Sequence, residues 1–262
     1  DTPHGMIAVG GQDCVFYAIV LNPTGEPIPE LAPTEAMPAV KKETAVRRDE
    51  RNDRIWRKFI DVTENALGTP TAINFKNTDK FNFAFDLVDA LAEKDPEKLA
   101  MLHISKDHTE RRFTFKDMKK ASAQAANYFK SLGIKKGDRV MLILKRHYQY
   151  WFAMLGLNKL GAIGIPAPNQ LQEHDLEYRF QAAGIKAIIC TTDGDVANQV
   201  DLAAEKCADL QIKIAVGGTR DGWRSYDEES TLYSSHYERT EDAPGGDDLM
   251  LMFFTSGTTG YP

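Results

Sequence analysis

Residues 140–165 read VMLILKRHYQYWFAMLGLNKLGAIGI, and this stretch decides the fold. It begins with a continuous apolar run, residues 140–144, which is typical of a strand buried on both faces. A helical stretch follows at 151–160 and ends at Gly161, and a second apolar run occupies 162–165. Two buried strands separated by a helix of this length need a crossover connection, so the pattern predicts that they are parallel.

The same alternation continues in both directions from this stretch. Upstream, Thr114 is predicted to cap a helix with Asp117 as its capping-box partner. The apolar stripe of that helix is predicted to be core, and it consists of Met118, Ala121, Ala125, Phe129 and Leu132. The remaining predicted elements are strands at 99–105, 111–113, 187–190 and 212–216, and helices at 175–183 and 196–208. Strands that alternate with helices predict an α/β fold, a doubly wound and mostly parallel sheet flanked by helices.

Residues 1–79 differ from the rest of the chain. Their sequence predicts a strand at 14–21, a loop with several prolines at 26–38, a charged segment at 41–54 and a helix at 55–67. We find no chemistry and no internal repeat in this region. The sequence therefore predicts a boundary near residue 80, with an N-terminal extension of unassigned role before it.

Composition excludes several classes of protein. The 262 residues carry a formal net charge of -6, whereas a nucleic-acid-binding domain normally presents a basic face. No apolar run approaches the roughly 18 residues of a membrane-spanning helix.

The three cysteines are far apart and form no C-x-x-C pair, which argues against a disulfide framework or a zinc site and for a reducing compartment. No secretory signal is visible, so the cytoplasm is the expected location.

The candidate site is a hydroxyl-rich loop near the end of the sequence. An apolar run at 249–254 predicts a final buried strand, and the loop follows it directly as Thr255, Ser256, Gly257, Thr258, Thr259 and Gly260. Ligands of open α/β sheets bind beyond the carboxyl ends of the strands. Two glycines allow successive backbone N–H groups to point inward as an anion nest, so the loop is predicted to bind phosphate.

Two other interpretations of this loop were weighed. A plain Ser/Thr/Gly turn that binds nothing is common, but its position directly after a predicted buried strand argues against it. A Walker A loop requires a lysine after its last glycine, and here Tyr261 and Pro262 follow Gly260.

The segment FTSGTTGYP at 254–262 resembles the phosphate loop of the adenylate-forming superfamily, which includes acyl-CoA synthetases, luciferases and the adenylation domains of peptide synthetases. The segments FTFKD at 113–117 and GIKKGDRV at 133–140 are similar to the same family and occur in its order. The forms IPAPNQ at 165–170, DLEYR at 175–179 and DGW at 221–223 are most similar to medium-chain acyl-CoA synthetases. The resemblance covers residues 80–262, the N-terminal part of a large domain.

The resemblance implies a reaction in two steps, in which ATP activates a carboxylic acid as an acyl-adenylate and CoA then displaces AMP. It implies ATP, Mg²⁺ and CoA as reactants, with the six loop residues holding phosphate. The family's catalytic lysine, metal-binding glutamate and hinge follow its phosphate loop, so no catalytic residue is assigned here. We accordingly expect no ligase turnover from these residues alone, and the missing C-terminal part of the same enzyme as a partner.

Two alternatives to a CoA ligase stay open at this point. One is a non-catalytic adenylation-like module used for binding or assembly, and the other is adenylation with an acceptor other than CoA. By analogy with animal relatives of the subgroup, the mitochondrial matrix is an alternative location. Other side chains are expected to lie outside the site. The six histidines show no ligand spacing, Lys145 and Arg146 are predicted to be a solvated start of a helix, and Trp223, Tyr226 and Tyr233 are predicted to pack a loop onto the sheet.

Overall fold

The computed structural model describes residues 55–255, which belong to one compact unit, Asp53–Pro262. The strand, loop and charged segment predicted within 1–54 lie outside the described residues. So do Ser256, Gly257, Thr258, Thr259 and Gly260 of the predicted phosphate loop. Within 55–255, no helix is both long enough and apolar enough to cross a membrane.

The described part begins with a single turn of 3-10 helix, Ile55–Lys58, followed by an antiparallel hairpin. Its strands are β1 (Ile60–Glu64) and β2 (Pro70–Phe75). The helix predicted at 55–67 is therefore wrong.

The physical reason for the hairpin lies in two local features. Ile60 and Val62 are β-branched and fall at period two, which suits a strand better than a helix. The side chain of Asn65 accepts hydrogen bonds from the backbone N–H groups of Leu67 at 2.9 Å and Thr69 at 3.0 Å, which closes a turn between the strands.

A helical segment that the sequence analysis did not identify comes next. It is π-helical over Ala84–Asp89 and continues as α1 (Ala90–Lys94). A second hairpin follows, formed by β3 (Leu99–Ile104) and β4 (Glu110–Thr114), and it lies outside the main sheet.

The predicted capping box at the start of α2 (Phe115–Ser131) is confirmed. The hydroxyl of Thr114 accepts from the backbone N–H of Asp117 at 3.2 Å, and the Asp117 carboxylate accepts from the backbone N–H of Thr114 at 2.9 Å. Two N–H groups that the first turn would leave unpaired are thereby satisfied.

Within residues 55–255 the main sheet has five strands, all parallel, in agreement with the predicted mostly parallel sheet. Its strands and the helices between them occur in the chain as β5 (Arg139–Ile143), α3 (Gln149–Leu160), β6 (Ile163–Pro166), α4 (Glu173–Ala183), β7 (Ile185–Thr191), α5 (Val196–Ala204), β8 (Ile212–Val216), β9 (Arg224–Ser225) and α6 (Tyr226–Glu229). A 3-10 turn, Ser230–Leu232, follows α6. The spatial order is β6-β5-β7-β8-β9.

Side chains of β5 show why the sheet is covered on both faces. Val140 and Leu142 belong to one buried cluster, together with residues of α2 and α3. Met141 and Ile143 belong to the other, together with residues of α4 and α5. Successive side chains of a strand point to opposite faces, so a continuous apolar run needs helices on both sides. The predicted doubly wound α/β architecture is confirmed.

The strand predicted at 249–254 is only partly realised. Leu251 forms one isolated parallel bridge with Gly164 of β6, and Leu249 and Phe253 are 66% and 63% exposed. The bridge is held by the N–H of Gly164 to the carbonyl of Met250 and the N–H of Met252 to the carbonyl of Gly164, both at 3.0 Å. The segment is not a buried strand within the described residues, because only its β6 side has a partner there.

The turn at residues 242–248 is partly packed. Pro244 is buried, and a Cβ added at Gly245 would lie 2.2 Å from the backbone oxygen of Asp79. Asn82 donates from its side-chain amide to the carbonyl of Pro244 at 3.3 Å. The close approach of two backbones explains the glycine at this position.

Candidate functional site

The strand order places a crevice at the carboxyl ends of β5 and β7. The chain leaves β5 towards β6 on one side and then returns to β7 on the other side of β5. Ligands of open α/β sheets bind at such a reversal of strand order. Here His147, which follows β5, lies with its Nε2 2.7 Å from the hydroxyl of Thr191, the last residue of β7.

A cavity of about 1670 Å³ opens at this crevice. Its walls come from the β3–β4 hairpin, the segments that follow β5, β6 and β7, one side of α2, and the region around α6. The lining side chains that carry charge or an imidazole ring are His103, Lys106, His108, Arg111, Lys145, Arg146, His147, Asp193 and Asp227.

His147 occupies a restricted position in this wall. Burial lowers the pKa of its imidazole, and the nearby carboxylates of Asp193 and Asp227 oppose that shift only in part. The ring packs against Gly217, whose φ of +82° is in the left-handed region and where an added Cβ would lie 2.8 Å from the imidazole Cε1. Glycine at 217 therefore allows both the backbone turn and the placement of the ring.

Gln149, the first residue of α3, connects this helix to α6, which follows the last strand of the sheet. Its side chain is buried, and its Nε2 donates to the Asp227 carboxylate at 2.7 Å. The other carboxylate oxygen of Asp227 accepts from the backbone N–H of Gly217 at 2.8 Å. Two segments 78 residues apart in sequence, at Gln149 and Asp227, are thus held together at the cavity wall.

The predicted phosphate loop begins at the same edge of the sheet. The parallel bridge between Leu251 and Gly164 directs the segment along β6, so Thr255 lies towards the carboxyl end of that strand. Phe254, directly before it, contacts the ring of Tyr178 at 6.3 Å between centroids and has the guanidinium of Arg179 over its face at 5.2 Å. Of the six predicted loop residues, the structure describes Thr255 alone.

A smaller cavity of about 560 Å³ adjoins the large cavity. It includes Phe253 and Trp151, and it shares six lining residues with the large cavity: His103, Ile104, Lys145, Arg146, His147 and Tyr148. The two cavities are therefore adjacent, and Phe253 brings the segment before the loop to the wall of the smaller one.

The sequence analysis missed the residues that follow β5. Lys145, Arg146 and His147 line both cavities, although they were left outside the predicted site. The signal that would have found them is the one used for Thr255, namely a polar segment directly after a buried strand.

The aromatic side chains weighed as packing residues do pack. Tyr226 is 3% exposed in the cluster beneath α2 and α3, and the ring of Tyr233 lies 5.4 Å from that of Tyr128. Trp223 packs against the opposite cluster and donates from Nε1 to Asp201 at 2.9 Å. Tyr226 also lines the large cavity, so packing and pocket lining are combined in that residue.

Proteins of similar sequence include several acyl-coenzyme A synthetases. The chain is 35% identical over 189 residues to rat acyl-coenzyme A synthetase ACSM5, mitochondrial, a match that covers 70% of the chain and 32% of the relative. It is 30% identical over 203 residues to mouse acyl-coenzyme A synthetase ACSM1, mitochondrial, covering 75% of the chain and 35% of the relative. The chain thus spans about one third of the length of these relatives.

Solved structures show the same fold. An acyl-CoA synthetase from Brucella canis superposes with a TM-score of 0.60 at 25% identity, covering 70% of the chain and 33% of that structure. The anthranilate CoA ligase AuaEII, solved with anthranoyl-AMP, superposes with a TM-score of 0.60 at 22% identity, covering 70% of the chain and 34% of that structure. The sequence profile of the AMP-binding enzymes matches residues 88–262, and the chain belongs to this family.

Proposed function

We propose that the protein activates a carboxylic acid with ATP and transfers the acyl group to CoA, as an AMP-forming acid–CoA ligase. The observation that carries this proposal is the parallel bridge between Leu251 and Gly164, which directs the segment up to Thr255 towards the carboxyl edge of the sheet, where the large cavity opens. The family membership and the names of the relatives support the same chemistry.

In this proposal, Thr255, Ser256, Gly257, Thr258, Thr259 and Gly260 hold the phosphates of ATP. The first step brings two anions together, and its barrier falls when fixed N–H and hydroxyl donors offset the repulsion and hold the pyrophosphate that leaves. The loop supplies neutral donors that fit phosphate oxygens. Mg²⁺ binds phosphate and hydroxyl oxygens and keeps several waters, so we propose that it enters with the ATP phosphates.

An exchange assay tests this function. The full-length protein is incubated with ATP, labelled pyrophosphate and a panel of carboxylic acids, with and without CoA. The proposal predicts acid-dependent formation of labelled ATP, and AMP release that requires CoA. Exchange without any effect of CoA on AMP release would instead identify an adenylating enzyme with another acceptor. No exchange with any acid would support the non-catalytic module.

The domain boundary and the location belong to the same proposal. We propose that residues 80–262 form part of the AMP-binding domain and that 1–79 extend it. The cytoplasm is our proposed location, and the mitochondrial names of the relatives support the matrix as the alternative. Fractionation of cells that express the full-length protein distinguishes the two compartments.

A further inference from the structure

The chain reaches Thr255, the first residue of the predicted phosphate loop, with little support from its own backbone. The last backbone hydrogen bond of this segment runs from the N–H of Met252 to the carbonyl of Gly164 at 3.0 Å. Within residues 55–255, no backbone hydrogen bond holds Phe253, Phe254 or Thr255. Side-chain contacts must therefore fix the course of the chain between the bridge to β6 and the loop.

Phe254 supplies such contacts. Its neighbour Phe253 is 63% exposed, whereas Phe254 packs against the buried cluster between α4, α5 and the sheet. The ring of Tyr178 meets that of Phe254 edge-on, with 6.3 Å between the centroids. The guanidinium carbon of Arg179 lies 5.2 Å from the centroid of the same ring. Two consecutive residues of α4 therefore hold the residue that directly precedes Thr255.

Arg179 is an unusual residue for a packing position. Its side chain is 9% exposed, and burial of a cation costs free energy unless the charge is compensated. Leu176 and Phe180 of the same helix are 0% and 1% exposed and already provide its hydrophobic face. The contact with Phe254 gives the arginine a role that an apolar side chain could not fill, because the attraction between a cation and a ring is stronger out of water.

The helix that carries Arg179 also orients it. Its Nη1 donates to the backbone carbonyl of Asp175 at 3.0 Å and lies 3.8 Å from the Asp175 carboxylate. That carboxylate accepts from the backbone N–H of Gln172 at 3.1 Å, in the capping box that begins α4. Because the guanidinium is planar, contacts at one nitrogen restrict the face that it presents to Phe254. The first turn of α4 therefore determines how Arg179 meets the ring.

We propose that Arg179 is a positioning residue for the phosphate loop, which it holds through Phe254 together with Tyr178. The inference rests on the proposed function, because it assigns to α4 the task of fixing where Thr255 begins the ATP-binding loop. A displacement of about 1 Å can slow a reaction about a hundredfold, and one backbone bridge does not prevent such a displacement. The segment DLEYR at 175–179 thereby gains a physical role, since its first residue holds Arg179 and its last two hold Phe254.

Pyrophosphate exchange by the full-length protein tests the proposal, with Arg179→Met as the test variant and Arg220→Met as the matched control. Arg220 also lies over an aromatic ring, that of Trp223 at 5.8 Å, which packs against the same cluster but follows β8 instead of preceding the loop. We expect the kcat of Arg179→Met to fall about tenfold or more and its KM for the acid to change less than about twofold, because the proposed loop holds the phosphates and not the acid. Arg220→Met should stay within about twofold of wild type in both constants.

Two further variants separate positioning from packing. Arg179→Lys keeps a cation near the ring, so its kcat should exceed that of Arg179→Met. A purely packing role predicts the reverse order, since methionine fills an apolar site better than lysine does. Phe254→Leu keeps an apolar side chain but removes the ring, and it should lower kcat as Arg179→Met does. If both residues act through one contact, the double variant should be no slower than the slower single variant.

Amide hydrogen exchange provides a readout that does not depend on activity. In the full-length protein, the amides of Phe254 and Thr255 should exchange faster in Arg179→Met than in wild type or in Arg220→Met. Thermal unfolding verifies that each variant is folded, and Phe254→Leu carries the same test if Arg179→Met does not fold.

Three results would overturn the proposal: equal kcat and equal amide exchange in Arg179→Met and Arg220→Met, a lower kcat in Arg179→Lys than in Arg179→Met, or additive effects of Arg179→Met and Phe254→Leu. Failure of the proposed function has a different signature. If wild type showed no pyrophosphate exchange with any acid but the protection of Thr255 still depended on Arg179, the ligase function would be overturned and the anchoring of this segment by α4 would stand.

Discussion

The Nζ of Lys159 lies 2.9 and 2.8 Å from the two carboxylate oxygens of Asp89, and the lysine side chain is 1% exposed. Asp89 ends the π-helical segment that precedes α1, and Lys159 belongs to α3, so the pair connects these two helical segments. Burial raises the pKa of Asp89 and lowers the pKa of Lys159, in each case against the attraction between the two charges.

Removal of one partner of this pair is expected to be far more damaging than removal of both. Lys159→Met leaves the carboxylate buried without its cation, which should lower the free energy of unfolding by about 3–5 kcal/mol. The double variant Asp89→Leu with Lys159→Met leaves no buried charge and should recover most of that loss. Urea unfolding of the single and double variants checks the prediction, and equal losses in the two would contradict it.

Gly217→Ala is expected to destabilise the protein through the ring of His147. Alanine must adopt a φ of +82° and its Cβ must displace the imidazole. Gly222 is the matched control, since its φ is +73° but nothing lies within 4 Å of an added Cβ.

The backbone penalty for either alanine is about 1–2 kcal/mol. Any additional loss in Gly217→Ala measures the steric conflict, and we expect this additional loss to disappear when Gly217→Ala is combined with His147→Ala. Chemical unfolding of Gly217→Ala, Gly222→Ala, His147→Ala and the double variant gives the comparison. The same loss for Gly217→Ala and Gly222→Ala would show that His147 does not confine the backbone here.

The protonation of His147 should make stability depend on pH. Because burial lowers the pKa of His147 below its ordinary value of 6.5, the unfolded chain binds the proton more readily than the folded chain. The free energy of unfolding therefore rises as the pH increases through the range just below 6.5. As the pH falls through the same range, protonation favours the unfolded chain and the protein becomes less stable.

His147→Gln should flatten this part of the pH profile, because it removes the imidazole whose pKa differs between the folded and unfolded chain. The measurement is the free energy of unfolding at intervals from about pH 5 to 7.5, a range that brackets an ordinary histidine. If wild type and His147→Gln showed parallel pH profiles, the protonation of His147 would not account for the pH dependence of stability.

In the proposed phosphate loop, loss of a glycine should reduce activity more than loss of a hydroxyl, because we propose that the backbone supplies most of the donors. We expect Ser256→Ala to slow pyrophosphate exchange by about tenfold or less, and Gly257→Val to slow it by about a hundredfold or more. Exchange rates of the full-length variants, at saturating ATP and acid, provide the check. A greater loss in Ser256→Ala would assign the main role to the hydroxyl.

The amino-acid sequence by itself determined the elements from β3 to β8 and the class of the fold. Buried strands appear as continuous apolar runs, and the capping box of Thr114 and Asp117 joins residues three apart. Both signals involve residues that are close in sequence, so the elements can be recognised without knowledge of the packing. The hairpin at 60–75 was mispredicted, because a few apolar residues fit the helical period as well as the strand period.

Only the tertiary structure decided which segments meet at the candidate site. The strand order brings His147 to Thr191, 44 residues away, and Gln149 to Asp227, 78 residues away. Neither pairing follows from local pattern, because both depend on the return of the chain to the far side of β5. The sequence predicts the phosphate loop through its own residues, whereas the cationic cavity exists because separate segments converge at one edge of the sheet.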